Sequence, residues 1–133
     1  MRVMLDTNIL ISLIVFKSKP MQYIIDWIAD GRSLVLCSYI IDELHDVIDE
    51  KFPNKKAELE KFLTEMPFEF FYTPRTLPKH DLFEIRDKDD EWILYSAILS
   101  EVDVLVTGDK DLLVIDSIER LDVISHLDFP NKY

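Results

Sequence analysis

Short apolar runs, separated by stretches with helical spacing, are the feature that most constrains the fold of this chain. Residues 3–5, 34–37 and 104–106 are apolar without a break, which is typical of strands covered by helices on both faces. The stretches at 21–28 and 38–51 instead place their apolar residues on one side of a helix. Strands that alternate with helices in this way predict an α/β fold with a mostly parallel central sheet.

The length and composition predict one small domain over residues 1–133 that folds without disulfides. The single cysteine, Cys37, cannot form an internal disulfide, and a reducing cytoplasm suits such a chain. Asp6 interrupts the N-terminal apolar run too early for a signal peptide, and no uncharged stretch is long enough to span a bilayer. We therefore expect a cytoplasmic protein that does not enter a membrane.

Two acidic residues follow directly after predicted strands. Asp6 comes after the first strand, and Asp109 follows Val104–Val106 by three residues. Parallel sheets bind their ligands beyond the carboxyl ends of the strands, at one edge of the sheet. We therefore expect both carboxylates to emerge at that edge.

Two further acids are distinguished by their position on helices, where each residue turns the chain by about 100°. Glu43 flanks the apolar stripe of the helix that follows Ser38, near the same edge of the sheet. In the acidic run at 87–91, Asp90 falls in the middle of the next helix's apolar stripe and is predicted to face inward. Asp89 falls to one side and is interpreted as the N-cap, while Asp87, before the helix, is interpreted as a supporting group.

Four converging carboxylates need a partner, because they repel one another and lose hydration when buried. A hard divalent cation removes both problems, and Mg²⁺ accepts carboxylate oxygens while keeping several waters. Such an ion promotes attack by water on a phosphodiester. The pattern therefore favours a metal site that accepts phosphate only through the metal.

These motifs resemble, in order and over roughly residues 2–114, those of the PIN-domain family, and most closely its branch of VapC-like toxins from toxin–antitoxin pairs. The matching segments are Asp-Thr-Asn-Ile-Leu at 6–10, Ser38 to Glu43-Leu44, Asp-Lys-Asp-Asp at 87–90, and Val-Thr-Gly-Asp-Lys-Asp-Leu-Leu at 106–113. The resemblance implies a three-layer α/β/α fold and a Mg²⁺- or Mn²⁺-dependent endoribonuclease that cuts single-stranded RNA. It implies catalytic, metal-binding roles for Asp6, Glu43, Asp90 and Asp109. Thr7 or Asn8 would support the turn at Asp6, Thr107 would orient Asp109, and an antitoxin with a basic segment would be the protein partner.

The charge of the chain keeps other interpretations open. Fifteen Lys and Arg against 26 Asp and Glu give a formal charge of −11, whereas nucleic-acid-binding proteins usually carry a basic face. A catalytically silent PIN-fold binding or scaffold module is the main alternative, and the sequence leaves homodimer formation open. A haloacid-dehalogenase-type phosphatase fits less well, since Asn8 stands where that class needs a second Asp.

Overall fold

The computed structural model describes residues 1–76, 88–115, 117–118 and 120–133, and these contain six strands and seven α-helices. The strands are β1 Arg2–Leu5, β2 Ser33–Cys37, β3 Glu69–Phe71, β4 Val104–Val106, β5 Ser117–Ile118 and β6 Leu121–Ile124. The helices are α1 Thr7–Ile14, α2 Lys19–Ala29, α3 Ser38–Lys51, α4 Lys56–Glu65, α5 Lys88–Leu99, α6 Lys110–Leu113 and α7 Phe129–Lys132, and a 3₁₀ turn at Pro53–Lys55 precedes α4.

The strands form one sheet in the order β3-β2-β1-β4-β6-β5, parallel throughout except for the β5–β6 hairpin. From β1 the chain moves outward to β2 and β3, then crosses back to β4 and continues to β6 on the other side. Because parallel crossovers are right-handed, these two directions place their helices on opposite faces of the sheet. The fold is therefore the three-layer α/β/α arrangement with a mostly parallel sheet, as the sequence predicted.

The core follows the apolar runs that define the strands. Every residue from Val3 to Leu5 and from Leu34 to Cys37 is buried, so Cys37 is a core side chain. Helix α2 buries its predicted apolar face and ends before Gly31, whose φ of +87° is a conformation that favours glycine. None of the helices within the described ranges is long and apolar enough to cross a membrane.

Strands β1 and β4 lie side by side at the point where the chain reverses its direction across the sheet. Connections leave these two strands toward opposite faces, which opens a crevice beyond their carboxyl ends. The topology therefore brings together the segments that follow β1 and β4, which carry Asp6 and Asp109 respectively.

Candidate active site

Asp6 lies directly beyond β1, at the junction with α1. Its backbone N–H donates to the carbonyl of Val106 at 3.0 Å, so the pairing of β1 with β4 continues past the end of the strand. Its carboxylate caps α1 and accepts a hydrogen bond from the Thr7 backbone N–H at 2.6 Å. Strand pairing and helix capping together fix the position of this acid.

The Asp6 carboxyl is buried, and burial raises its pKa above the ordinary value. Hydrogen bonds from the Thr107 side chain and the Thr7 backbone oppose this shift, whereas the nearby charge of Asp109 adds to it. Asp6 and Asp109 are thus close enough to repel one another, as the topology predicts.

Thr107 joins these two acids through one hydroxyl group. Its side chain is fully buried, and its Oγ1 donates to Asp6 Oδ2 at 2.7 Å. The same oxygen accepts the backbone N–H of Asp109 at 3.0 Å. The hydroxyl therefore positions the carboxylate after β1 relative to the turn after β4.

Three carboxylates gather at the start of α6: Asp90, Asp109 and Asp111. One oxygen from each lies within 4.8 Å of the other two, the only such cluster of potential metal ligands found in the described part of the chain. Asp109 caps α6 and accepts the Asp111 backbone N–H at 2.8 Å, which places these two residues side by side. We call Asp90, Asp109 and Asp111 the carboxylate triplet.

Asp90 enters the triplet from α5, the helix on which the sequence placed it facing inward. Asp90 is 5% exposed, its Oδ2 is shielded from solvent, and neighbouring Asp89 is exposed. The predicted phase of the helix is therefore correct. The interpretation of Asp89 as the N-cap is wrong, because α5 already begins at Lys88 and Asp89 lies in its first turn. Asp87 lies outside the described residues.

Glu43 is half-buried on α3, and its Oε1 accepts a hydrogen bond from the Thr7 hydroxyl. Thr7 thereby connects Glu43 to Asp6, since its backbone N–H also contacts the Asp6 carboxylate. Asn8 is exposed on α1, so Thr7 is the residue of this pair that supports the site. Within the described residues, Asp6 and Glu43 are connected to the triplet by this network and are not members of it.

Two further residues at this edge, Asp111 and His126, were not predicted from the sequence as members of the site. Asp111 ends the Thr-Gly-Asp-Lys-Asp string, and an Asp two residues after a capping Asp is well placed to share its site. His126 follows β6, and its ring lies against Gly108, where a Cβ atom would meet it at 3.8 Å. Its Nδ1 is buried and has no hydrogen-bond partner among the described residues.

The triplet has the chemistry of a site for a hard cation. All three donors are carboxylates, which suit Mg²⁺ and Mn²⁺ better than softer metals. Asp90 is buried and Asp109 and Asp111 are half-buried, so their charges are poorly hydrated and a divalent cation would relieve their repulsion. The residues present therefore fit such an ion.

The structure is similar to two solved structures, a toxin–antitoxin complex and an endonuclease. The first is the crystal structure of VapBC2 from Rickettsia felis bound to a DNA fragment from their promoter. It matches at a TM-score of 0.69 and 17% identity over 94% of this chain and 98% of that chain. The second is the PIN domain endonuclease Utp24, with a TM-score of 0.58 and 16% identity over 93% and 84% of the two chains.

At such low identities these likenesses concern the fold alone. No curated protein gave a significant sequence match. A sequence profile of the PIN domain, however, matches residues 2–111, which span β1 through to Asp111 of the triplet. The chain therefore belongs to the PIN domain family.

Proposed function

We propose that this protein is a metal-dependent endoribonuclease that hydrolyses single-stranded RNA, acting as one domain over its 133 residues. The observation that carries the proposal is the carboxylate triplet beside buried Asp6, at the crevice between β1 and β4. Membership of the PIN domain family supports it, since one structural relative is an endonuclease.

Asp90, Asp109 and Asp111 would hold the metal, with Asp6 and Glu43 beside them. When bound, Mg²⁺ or Mn²⁺ would supply the positive charge that lets an acidic site accept a phosphodiester, and it would promote attack by water on the phosphorus atom. Thr107 keeps Asp6 and the Asp109 turn in register, and Thr7 holds Glu43 against the same edge. This prior positioning lowers the entropic cost of assembling the site.

Cleavage of a labelled single-stranded RNA tests the proposal. We expect Mg²⁺- or Mn²⁺-dependent cleavage that a chelator abolishes, with little activity on duplex RNA. Glu43→Gln should lose most of this activity. Asp42→Asn should retain it, because Asp42 is exposed at the preceding position of α3. Specific RNA binding without cleavage under any metal would favour the silent binding module.

We also propose a protein partner, an antitoxin with a basic segment, and with it a role as the toxin of a toxin–antitoxin pair in the cytoplasm. The acidic site and the formal charge of −11 favour a cationic ligand. An Arg side chain would pair with two carboxylate oxygens in fork geometry and compete with the metal.

A synthetic Arg-bearing peptide tests the partner chemistry. It should inhibit cleavage, and raising Mg²⁺ at constant ionic strength should relieve the inhibition. A matched peptide with Glu in place of Arg is the control. Equal inhibition by both peptides would refute competition at the carboxylates.

A further inference from the structure

Two exposed aromatic side chains lie at the end of β3, away from the core. Phe70 is 46% exposed and Tyr72 is 78% exposed, and their rings meet edge to face with centroids 4.6 Å apart. Exposing this apolar surface to water is unfavourable in free energy. An exposed aromatic pair is therefore a candidate for a contact that the fold itself does not make.

The pair lies at the same edge of the sheet as the carboxylate triplet. β3 is parallel to β2, and β2 to β1, so the carboxyl ends of all three strands share one edge. Strands in a sheet are spaced by about 4.8 Å, which puts the end of β3 about 10 Å from the end of β1. The aromatic pair therefore lies on the same edge as the proposed catalytic site, two strands from Asp6 and three strands from the turn that carries Asp109.

Thr73 holds this end of β3 in place. Its backbone N–H donates to Ser38 Oγ at 2.9 Å, and its Oγ1 accepts from the Tyr39 N–H and from Ser96 Oγ, both at 3.1 Å. Ser38 and Tyr39 begin α3, which carries Glu43, and Ser96 belongs to α5, which carries Asp90. The backbone next to Tyr72 is thus hydrogen-bonded to α3 and α5, two of the helices that contribute acids.

We infer that Phe70 and Tyr72 form a stacking platform for unpaired bases of the RNA substrate, an inference that rests on the proposed function. Bases of single-stranded nucleic acids stack on exposed aromatic rings, and this contact needs no positive charge. This protein has a formal charge of −11 and an acidic site, so contacts with phosphates away from the metal add little binding free energy and carry a penalty from charge repulsion. Ring stacking supplies affinity without that penalty, and it selects single strands because paired bases are not available.

Steady-state cleavage of a short single-stranded RNA by Tyr72 variants tests the inference. Tyr72→Ala should raise KM about tenfold or more with little change in kcat, because a stacked base contributes binding and not chemistry. Tyr72→Phe should keep the wild-type KM, whereas Tyr72→Leu, which is apolar but has no π face, should behave like Tyr72→Ala. Phe16→Ala is the matched control, since Phe16 is 64% exposed and follows the end of α1 remote from Asp6.

The same variants are then measured on RNAs carrying one abasic nucleotide at successive positions. At the position that stacks, the abasic RNA should raise the wild-type KM and leave Tyr72→Ala unaffected. Unchanged KM for Tyr72→Ala, or wild-type behaviour of Tyr72→Leu, would overturn the platform while leaving the nuclease function intact. The second result would indicate an apolar contact that does not depend on stacking against a π face. A wild-type protein that neither cleaves nor binds RNA would refute the proposed function and the platform together.

Discussion

The hydroxyl of Thr107 offers the sharpest test of how the site is held together. Thr107→Val keeps the shape of the side chain but removes the hydrogen bonds to Asp6 Oδ2 and from the Asp109 N–H. A hydrogen bond to a charged group contributes about 1.5–3 kcal/mol and a neutral one about 1 kcal/mol. Since Thr107 is fully buried, water cannot replace these bonds, and we expect a loss of about 3 kcal/mol in the free energy of unfolding.

The loss should depend on pH, because the Thr107 bond stabilises ionised Asp6. Burial raises the folded-state pKa of Asp6, so the free energy of unfolding falls as pH rises from the unfolded pKa through the folded one. Thr107→Val removes a bond that lowers this pKa, which extends the fall to higher pH. The deficit of the variant should therefore be smallest in acid and grow toward neutral pH.

Urea unfolding of metal-free protein across this pH range measures both effects. Thr107→Ser is the control, since it keeps the hydroxyl and loses only a methyl group, at a cost of about 1 kcal/mol. If the Val and Ser variants are equally stable, or if the Val deficit is the same at every pH, Thr107 does not connect the two acids as described.

Three further outcomes are expected from the same site. Asp90→Asn should reduce cleavage by more than the roughly 10–100-fold that is typical of outer-shell changes at metal sites. Asp89→Asn should cleave at close to the wild-type rate, because Asp89 is exposed. Similar activities of the two variants in one assay would contradict the role inferred from their difference in burial. Mg²⁺ at a hundredfold excess over its Kd should raise the free energy of unfolding by about 2.7 kcal/mol, measured by thermal unfolding. Asp111→Asn should reduce this stabilisation by Mg²⁺, and an unchanged stabilisation would show that Asp111 is not a metal ligand. Gly108→Ala should keep its stability and activity, because the new Cβ meets the His126 ring at an ordinary 3.8 Å, and a large loss in either measurement would show that the turn needs glycine.

Periodicity was enough to predict the sheet and the inward acid on α5. Unbroken apolar runs indicated the central strands, and the helical wheel separated Asp90 from Asp89 because burial follows the 3.6-residue repeat. The rule that parallel sheets bind ligands beyond the carboxyl ends of their strands predicted that Asp6 and Asp109 lie close together. The helical wheel singled out Glu43 beside the apolar stripe of α3, the resemblance implies a metal-binding role for it, and the structure connects it to Asp6 through Thr7.

Contacts that depend on local turn geometry or on distant pairing were harder to predict. Asp111 approaches Asp109 only because a capping hydrogen bond folds the chain at the start of α6. His126 reaches Gly108 through the parallel pairing of β4 with β6, which no local pattern encodes. The start of α5 was placed two residues too late, because a cap at Asp89 makes Asp90 the first helical residue whereas α5 begins at Lys88, and a periodic pattern does not fix the terminal residue of a helix.

The pairing of β1 with β4 has a consequence for how this protein is made. Asp6 and Thr107 are 101 residues apart, so β1 leaves the ribosome long before the strand that completes its edge. Closing a loop of this length is entropically costly and slows folding. A partly synthesised chain that ends before β4 therefore holds Asp6 and Glu43 but neither Asp109 nor the turn that aligns them, and the carboxylate triplet forms only after β4 and the start of α6 have been synthesised.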